Sequence, residues 1–229
     1  MSSSEDFGID HRRRAIAIIQ ILRKATKKMV EPATKSLITH YGKDPFLILI
    51  GCLLSLRTKD TVSLPASLRL FKHARTPKTL LALPVEQVAK LIYPVGFYHC
   101  KAATIHTVCK ILLTNFDGNV PATEAALLSL PGVGRKTANL VLGEAFDIPA
   151  LCVDTHVHRI SNRLGLVSTK TPEETEIALQ KILPRHYWIE YNRLMVMWGQ
   201  NICVPLVPRC SQCPLMARLC PQIGVTRSR

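Results

Sequence analysis

Four cysteines crowd the C-terminal end of the chain. Cys203, Cys210, Cys213 and Cys220 have six, two and six residues between them. Four thiolates suit a tetrahedral zinc ion or a [4Fe–4S] cluster. Zinc ribbons usually present two Cys-x-x-Cys pairs, and here only Cys210 and Cys213 form one. Three separate backbone approaches favour the cubane, with zinc and free thiols as the alternatives. The opening MSSSED is acidic and the apolar segment behind it short, so no secretory signal is expected and metal is favoured over disulfides. Such a group would fix Arg209 and Arg218 as a basic surface.

A second group of residues lies at Leu130-Pro131-Gly132-Val133-Gly134-Arg135-Lys136-Thr137-Ala138-Asn139. Helix-like sequence flanks it on both sides. Pro131 stops the first helix, and Gly132 and Gly134 permit a positive φ and a close backbone approach. A hairpin of this kind presents backbone N–H groups at a helix N-terminus, where the dipole favours an anion. Two glycines alone would also serve an ordinary helix corner. Arg135, Lys136 and the basic balance of the chain favour binding of a nucleic-acid phosphate. Lys136 falls in a first helical turn, where a cation opposes the dipole. A lysine with a lowered pKa is a nucleophile able to form a Schiff base. The plainer reading is a side chain reaching to phosphate or solvent, and on this residue alone it is the stronger.

Eighteen residues beyond Lys136 stands Asp154, in Cys152-Val153-Asp154-Thr155-His156-Val157-His158-Arg159. Val157, Ile160 and Leu164 follow at helical spacing, so Asp154 suits an N-cap. A carboxylate facing Lys136 would also assist proton transfer or support developing positive charge. Both roles are compatible. His156 and His158 read as structural groups, since His-x-His is too weak a pattern for a metal site.

The elements that must position these residues are helical. Ala15–Ala25 carries one broad apolar face, and Phe46–Leu56 is apolar nearly all round, as a central helix would be. Further helices are expected near 61–72, 78–83, 85–93, 99–115, 123–130, 135–146, 155–164, 172–183 and 187–201. No alternating pair flanks a hairpin turn, so the expected fold is all-α. The 229 residues, 47% of them apolar, suffice for a sizeable core. Thirty Lys and Arg against 16 Asp and Glu leave a net charge of +14, which implies a polyanionic partner. The longest uncharged apolar stretch, Pro45–Leu56, falls short of the roughly 18–20 residues that span a bilayer. A soluble, intracellular protein without a membrane partner is therefore expected. Both ends are basic: residues 1–37 hold 8 basic and 4 acidic groups, and residues 203–229 hold Arg209, Arg218, Arg227 and Arg229 with no acid.

Taken together, the motifs resemble endonuclease III, the iron–sulfur helix-hairpin-helix family of DNA glycosylases and abasic-site lyases. The matching stretches are Leu53-Leu54-Ser55 with Thr58 and Asp60, Val95-Gly96-Phe97-Tyr98 with Lys101-Ala102, the hairpin, Val153-Asp154-Thr155-His156-Val157 with Arg159, and the four cysteines. They occur in family order over roughly residues 30–222. The resemblance implies an all-α, two-lobed helix-hairpin-helix glycosylase fold with a DNA cleft between the lobes and a C-terminal [4Fe–4S] loop. A six-helix domain would span 38–148, with the hairpin at about 123–146. The second lobe would join 1–37 to 149–229 and hold the cluster at 203–220.

By the same resemblance, Lys136 is the catalytic nucleophile and Asp154 the catalytic carboxylate. Gly132, Val133, Gly134 and Arg135 bind DNA phosphate. Arg57 stands where the family usually has a gap-filling Gln, and Phe97 stands at the wedge position. The last cysteine interval is one residue longer than the family's, which a loop absorbs. The implied activity is bifunctional. A damaged pyrimidine is flipped out of duplex DNA, Lys136 displaces it, and β-elimination cuts the strand. The implied partner is double-stranded DNA with an oxidised or ring-saturated pyrimidine or an abasic site. A monomer in the cytoplasm is expected, at the nucleoid if the source is bacterial or archaeal. The competing readings are a sibling glycosylase for mismatched or modified bases and a non-enzymatic iron–sulfur DNA-binding protein.

Overall fold

The computed structural model describes residues 3–216 and 218–229, with side chains from residue 10 onward. Met1, Ser2 and Ala217, assigned by sequence to the second lobe, lie outside the described residues. All regular structure among the described residues is helical. The chain divides into two units, Glu31–Ile148 and the pair Met1–Val30 with Pro149–Arg229.

The Glu31–Ile148 unit is built around an apolar helix, Pro45–Ser55. Asp44 caps it by accepting from the Leu47 N–H at 3.0 Å, and Pro45 supplies a preset φ at its first position. Every residue from Phe46 to Leu54 is buried. Each Leu or Ile so buried contributes about 1.5–3 kcal/mol from removal of apolar surface. Around this helix pack Ala33–Tyr41, Asp60–His73, Tyr98–Asn115 and Arg135–Phe146. The helices Pro77–Leu81, Val85–Ile92 and Glu124–Leu128 complete the unit. In chain order, with Ser3–Ala25 as α1, these are α2 (Ala33–Tyr41), α3 (Pro45–Ser55), α4 (Asp60–His73), α5 (Pro77–Leu81), α6 (Val85–Ile92), α7 (Tyr98–Asn115), α8 (Glu124–Leu128) and α9 (Arg135–Phe146).

The second unit joins α1 to α10 (Thr155–Arg163), α11 (Pro172–Ile182) and α12 (Trp188–Asn201). Ile18, Ile19 and Leu22 of α1 meet Val157 and Ile160 of α10, Leu179 of α11, and Tyr191, Met195 and Trp198 of α12 in one core. The buried Tyr191 hydroxyl pairs with Ser161 Oγ at 2.8 Å, which satisfies both groups. No helix of the described residues is long and apolar enough to cross a membrane.

Besides α8, treated with the hairpin below, two elements differ from the sequence reading. α1 starts at Ser3 rather than Ala15, and α2 was not anticipated. α2 has no side chain of its own at its N-cap, and it buries only Ala33 and Leu37. Asp60, at the start of α4, accepts from the Ala33 N–H at 3.2 Å and serves as a cap from outside.

Candidate nucleic-acid interface and metal centre

The hairpin joins α8 to α9. α8 ends at Leu128, short of the 123–130 span expected from sequence, and Pro131 follows two residues past its C-cap Ser129. Gly132 takes φ +79°, the left-handed region that favours glycine. A Cβ there would also come within 3.2 Å of Thr104 Cγ2 and 3.4 Å of Leu53 Cδ2. Val133 is buried beneath the turn, while Gly132, Gly134, Arg135 and Lys136 are exposed. Gly134 occupies the N-cap of α9, so no side chain caps this helix. Arg135 lies 3.9 Å from Glu124 across the hairpin, an exposed pair of little energetic weight. Gly132→Ala is expected to cost about 1–2 kcal/mol from the left-handed backbone alone. A thermal melt beside wild type checks this.

Lys136 is the second residue of α9, and its charge is felt at the buried Cys52 of α3. Burial pushes the Cys52 thiol up to about 12, with Lys136 pulling in the opposite direction. Cys52 is thus a buried packing group with little thiolate character.

Arg57 and Phe97 stand on two loops of the same unit. Both take left-handed backbone, at φ +51° and +59°, although neither is glycine. Each conformation costs roughly 1–2 kcal/mol. Strain of this kind persists only where neighbouring structure enforces it, and it clusters at functional sites. Both side chains are exposed, Phe97 by 64%. The Gly96 N–H donates to Thr58 Oγ1 at 3.2 Å, so the residues beside Phe97 and Arg57 are tied together. The Lys101 ammonium donates to Leu54 O, Leu56 O and Thr58 Oγ1 at 2.8, 2.5 and 3.2 Å. Burial lowers its pKa to about 8, while the oxygens around it favour the charged form. In the sequence, Lys101 stands out only as part of a matching stretch. Its position early in a helix, like that of Lys136, is the signal that was there to find.

Asp154 is the N-cap of α10 and is 9% exposed. Its Oδ1 accepts from the N–H groups of His156 at 2.9 Å and Val157 at 2.8 Å. His158 Nδ1 pairs with Thr175 Oγ1 at 2.7 Å, which ties α10 to α11. His156 Nδ1 lies 3.1 Å from Arg159 Nη2, beside Gly199.

Cys203, Cys210, Cys213 and Cys220 line one cavity of about 310 Å³, counting its open mouth. Arg163 and Met216 share its wall. Arg163 Nη1 donates to Cys203 Sγ at 3.4 Å and to Val204 O at 2.8 Å. Arg159 Nη2 donates to Cys203 O at 2.8 Å. Burial raises the Cys213 and Cys220 thiol pKa values, and the neighbouring cysteines raise them further. Four thiolates here therefore need a compensating cation. Among the described residues, no three His, Cys, Asp or Glu side chains converge on a single-ion position. Four cysteines around one cavity are a donor set that fits either a tetrahedral zinc ion or a [4Fe–4S] cluster.

These elements define a class before they define a family. Residues 50–185 match the family described as HhH-GPD superfamily base excision DNA repair protein, and the chain is a DNA glycosylase of that class. Within it, the chain belongs to the endonuclease III family. It is 47% identical over 190 residues to the Endonuclease III of Thermotoga maritima, covering 81% of this chain and 89% of that one. Two solved structures are similar at 33% identity. One is a non-covalent Endonuclease III–DNA complex, with TM-score 0.80 and coverage of 92% of this chain and 95% of that one. The other is a trapped Endonuclease III–DNA covalent intermediate, an estranged-adenine complex, with TM-score 0.79 and coverage of 92% and 96%.

Proposed function

We propose that this glycosylase is bifunctional, releasing oxidised or ring-saturated pyrimidines from duplex DNA and then cutting the strand as an abasic-site lyase. The observation that carries this reading is Lys136, an amine in the first turn of α9 directly behind the hairpin. Gly132, Val133, Gly134 and Arg135 hold a phosphate of the DNA backbone at this helix start. Phe97 enters the base stack as an apolar wedge and Arg57 fills the space of the flipped nucleotide. The Lys136 amine attacks C1′, and the N-glycosidic bond breaks with its electron pair leaving on the base. Asp154 supports the positive charge and moves the proton. Its Oδ1 is engaged in capping α10, so Oδ2 is the oxygen assigned to this role. The amine then gives up a proton and the C1′–O4′ bond opens with its electron pair on O4′, which takes up a proton; the resulting Schiff base acidifies the C2′ proton. Its loss expels the 3′ phosphate and cuts the strand. The covalent relative supports an enzyme–DNA bond as an intermediate.

Cys203, Cys210, Cys213 and Cys220 are the proposed ligands of a [4Fe–4S] cluster. When bound, the cluster supplies cross-linking of the C-terminal loop and no bond chemistry on DNA. Arg209 and Arg218, exposed on that loop, would contact phosphate. The protein acts as a monomer in the cytoplasm, at the nucleoid in a bacterium or archaeon.

Cleavage of a thymine-glycol duplex tests the activity. Base release with strand scission 3′ to the lesion is expected; base release with an intact strand would make the enzyme monofunctional. For the cluster, the purified protein is expected to be brown, with broad absorption near ~400 nm that Cys213→Ser abolishes. A colourless protein carrying one zinc would contradict the assignment.

A further inference from the structure

We propose that Lys101 is a positioning residue that locks the Arg57 and Phe97 loops into one preformed probe. The inference rests on the roles proposed above for those two side chains.

α3 ends at Ser55, so its last carbonyls have no partner within the helix. The Lys101 ammonium, from the first turn of α7, takes Leu54 O from that end and Leu56 O from the loop beyond. A cation there also faces the negative end of the α3 dipole. Thr58 Oγ1 completes the knot. It accepts from Lys101 and from the Gly96 N–H, each at 3.2 Å, and donates to Leu56 O at 3.3 Å. Arg57 lies between two of these anchors, Leu56 and Thr58. Phe97 follows directly on a third, Gly96, and its own carbonyl accepts from the Lys101 N–H at 2.9 Å. A Cβ at position 96 would lie 3.2 Å from Arg57 O, so the two loops touch at backbone distance. Arg57 and Phe97, two of the five described non-glycine residues with positive φ, thus flank a single polar knot, and among the hydrogen bonds of that knot Lys101 supplies the charged group. An ordinary capping lysine needs one carbonyl end. This one reaches across from the wedge helix to the gap-filling loop, so the two side chains hold a fixed spacing before DNA arrives. Preformed placement matters because a displacement of about 1 Å costs on the order of 100-fold in rate.

The test is a double-mutant cycle in single-turnover excision of thymine glycol from a paired duplex, using Lys101→Met, Phe97→Ala and the double variant. Met keeps the apolar stem and removes the ammonium. Lys101→Met is expected to slow excision about 100-fold in the wild-type background and only a few-fold, roughly, in the Phe97→Ala background. Lys101→Arg, which keeps the charge and can reach two acceptors, is expected to restore part of the rate. An equal loss in both backgrounds, or no loss in either, would overturn the proposal and leave Lys101 a helix cap. If Phe97→Ala alone leaves excision unchanged, the wedge assignment fails, a result distinct from failure of the lock. Thermal melts accompany each variant. Should Lys101→Met not fold, Thr58→Val removes the bridging hydroxyl, and the same cycle and outcomes apply to it.

Discussion

Lys136→Gln is expected to remove base release and strand scission together, with a loss of about 10⁴-fold or more in single-turnover rate. Glutamine is close to lysine in reach but offers no basic amine, so C1′ has no nucleophile to displace the base. Position 136 is exposed and lies in the first turn of α9, where a lysine opposes the helix dipole. Substitution at an exposed position usually moves stability by no more than about 0.5 kcal/mol, so the variant is expected to melt close to the wild-type temperature. DNA affinity falls by no more than one phosphate contact would allow, visible as a slightly shallower salt dependence. A catalytic loss without a stability loss separates a nucleophile from a structural group. Retention of scission by a folded Lys136→Gln protein would remove this residue from the chemistry.

Asp154→Asn is the second large effect. The two backbone bonds that Asp154 accepts fall on Oδ1, and an asparagine carbonyl oxygen accepts them equally well. The cap of α10 therefore persists, and the melting temperature is expected to move little. What the substitution removes is negative charge and a proton acceptor. The expected loss in base release is about 10²–10⁴-fold. Asp154→Ala is expected to lose the same activity and also about 1 kcal/mol of stability, because the cap goes with the carboxylate. Equal activity in Asp154→Asn and wild type would confine Asp154 to its capping role.

The contrast between these residues and Lys101 marks what sequence discloses. The hairpin is legible because its signals are local: a proline, two glycines and two cations within a few positions. The Asp154 cap is legible for the same reason, as the residue type and the amphipathic run behind it sit side by side. The cysteine group is legible by count and spacing, though its convergence on one cavity is a tertiary fact. Arg57 and Phe97 stand out only through the family resemblance. Nothing in their types announces a left-handed backbone, and the hydrogen bonds that tie their two loops together join residues 38 to 47 positions apart. α2 escapes notice because its cap, Asp60, comes from another helix. For α2 and for the Arg57 and Phe97 loops the partner lies far along the chain, where periodicity and local propensity carry no information.

Chemical mapping of the covalent bond tests the central claim most directly. The enzyme is mixed with a thymine-glycol duplex, reduced with borohydride during turnover, digested, and sequenced by mass spectrometry. The expected result is a single sugar-modified peptide with the adduct on the Lys136 side chain, absent from Lys136→Gln. An adduct on any other amine, or full base release with no adduct, would contradict it.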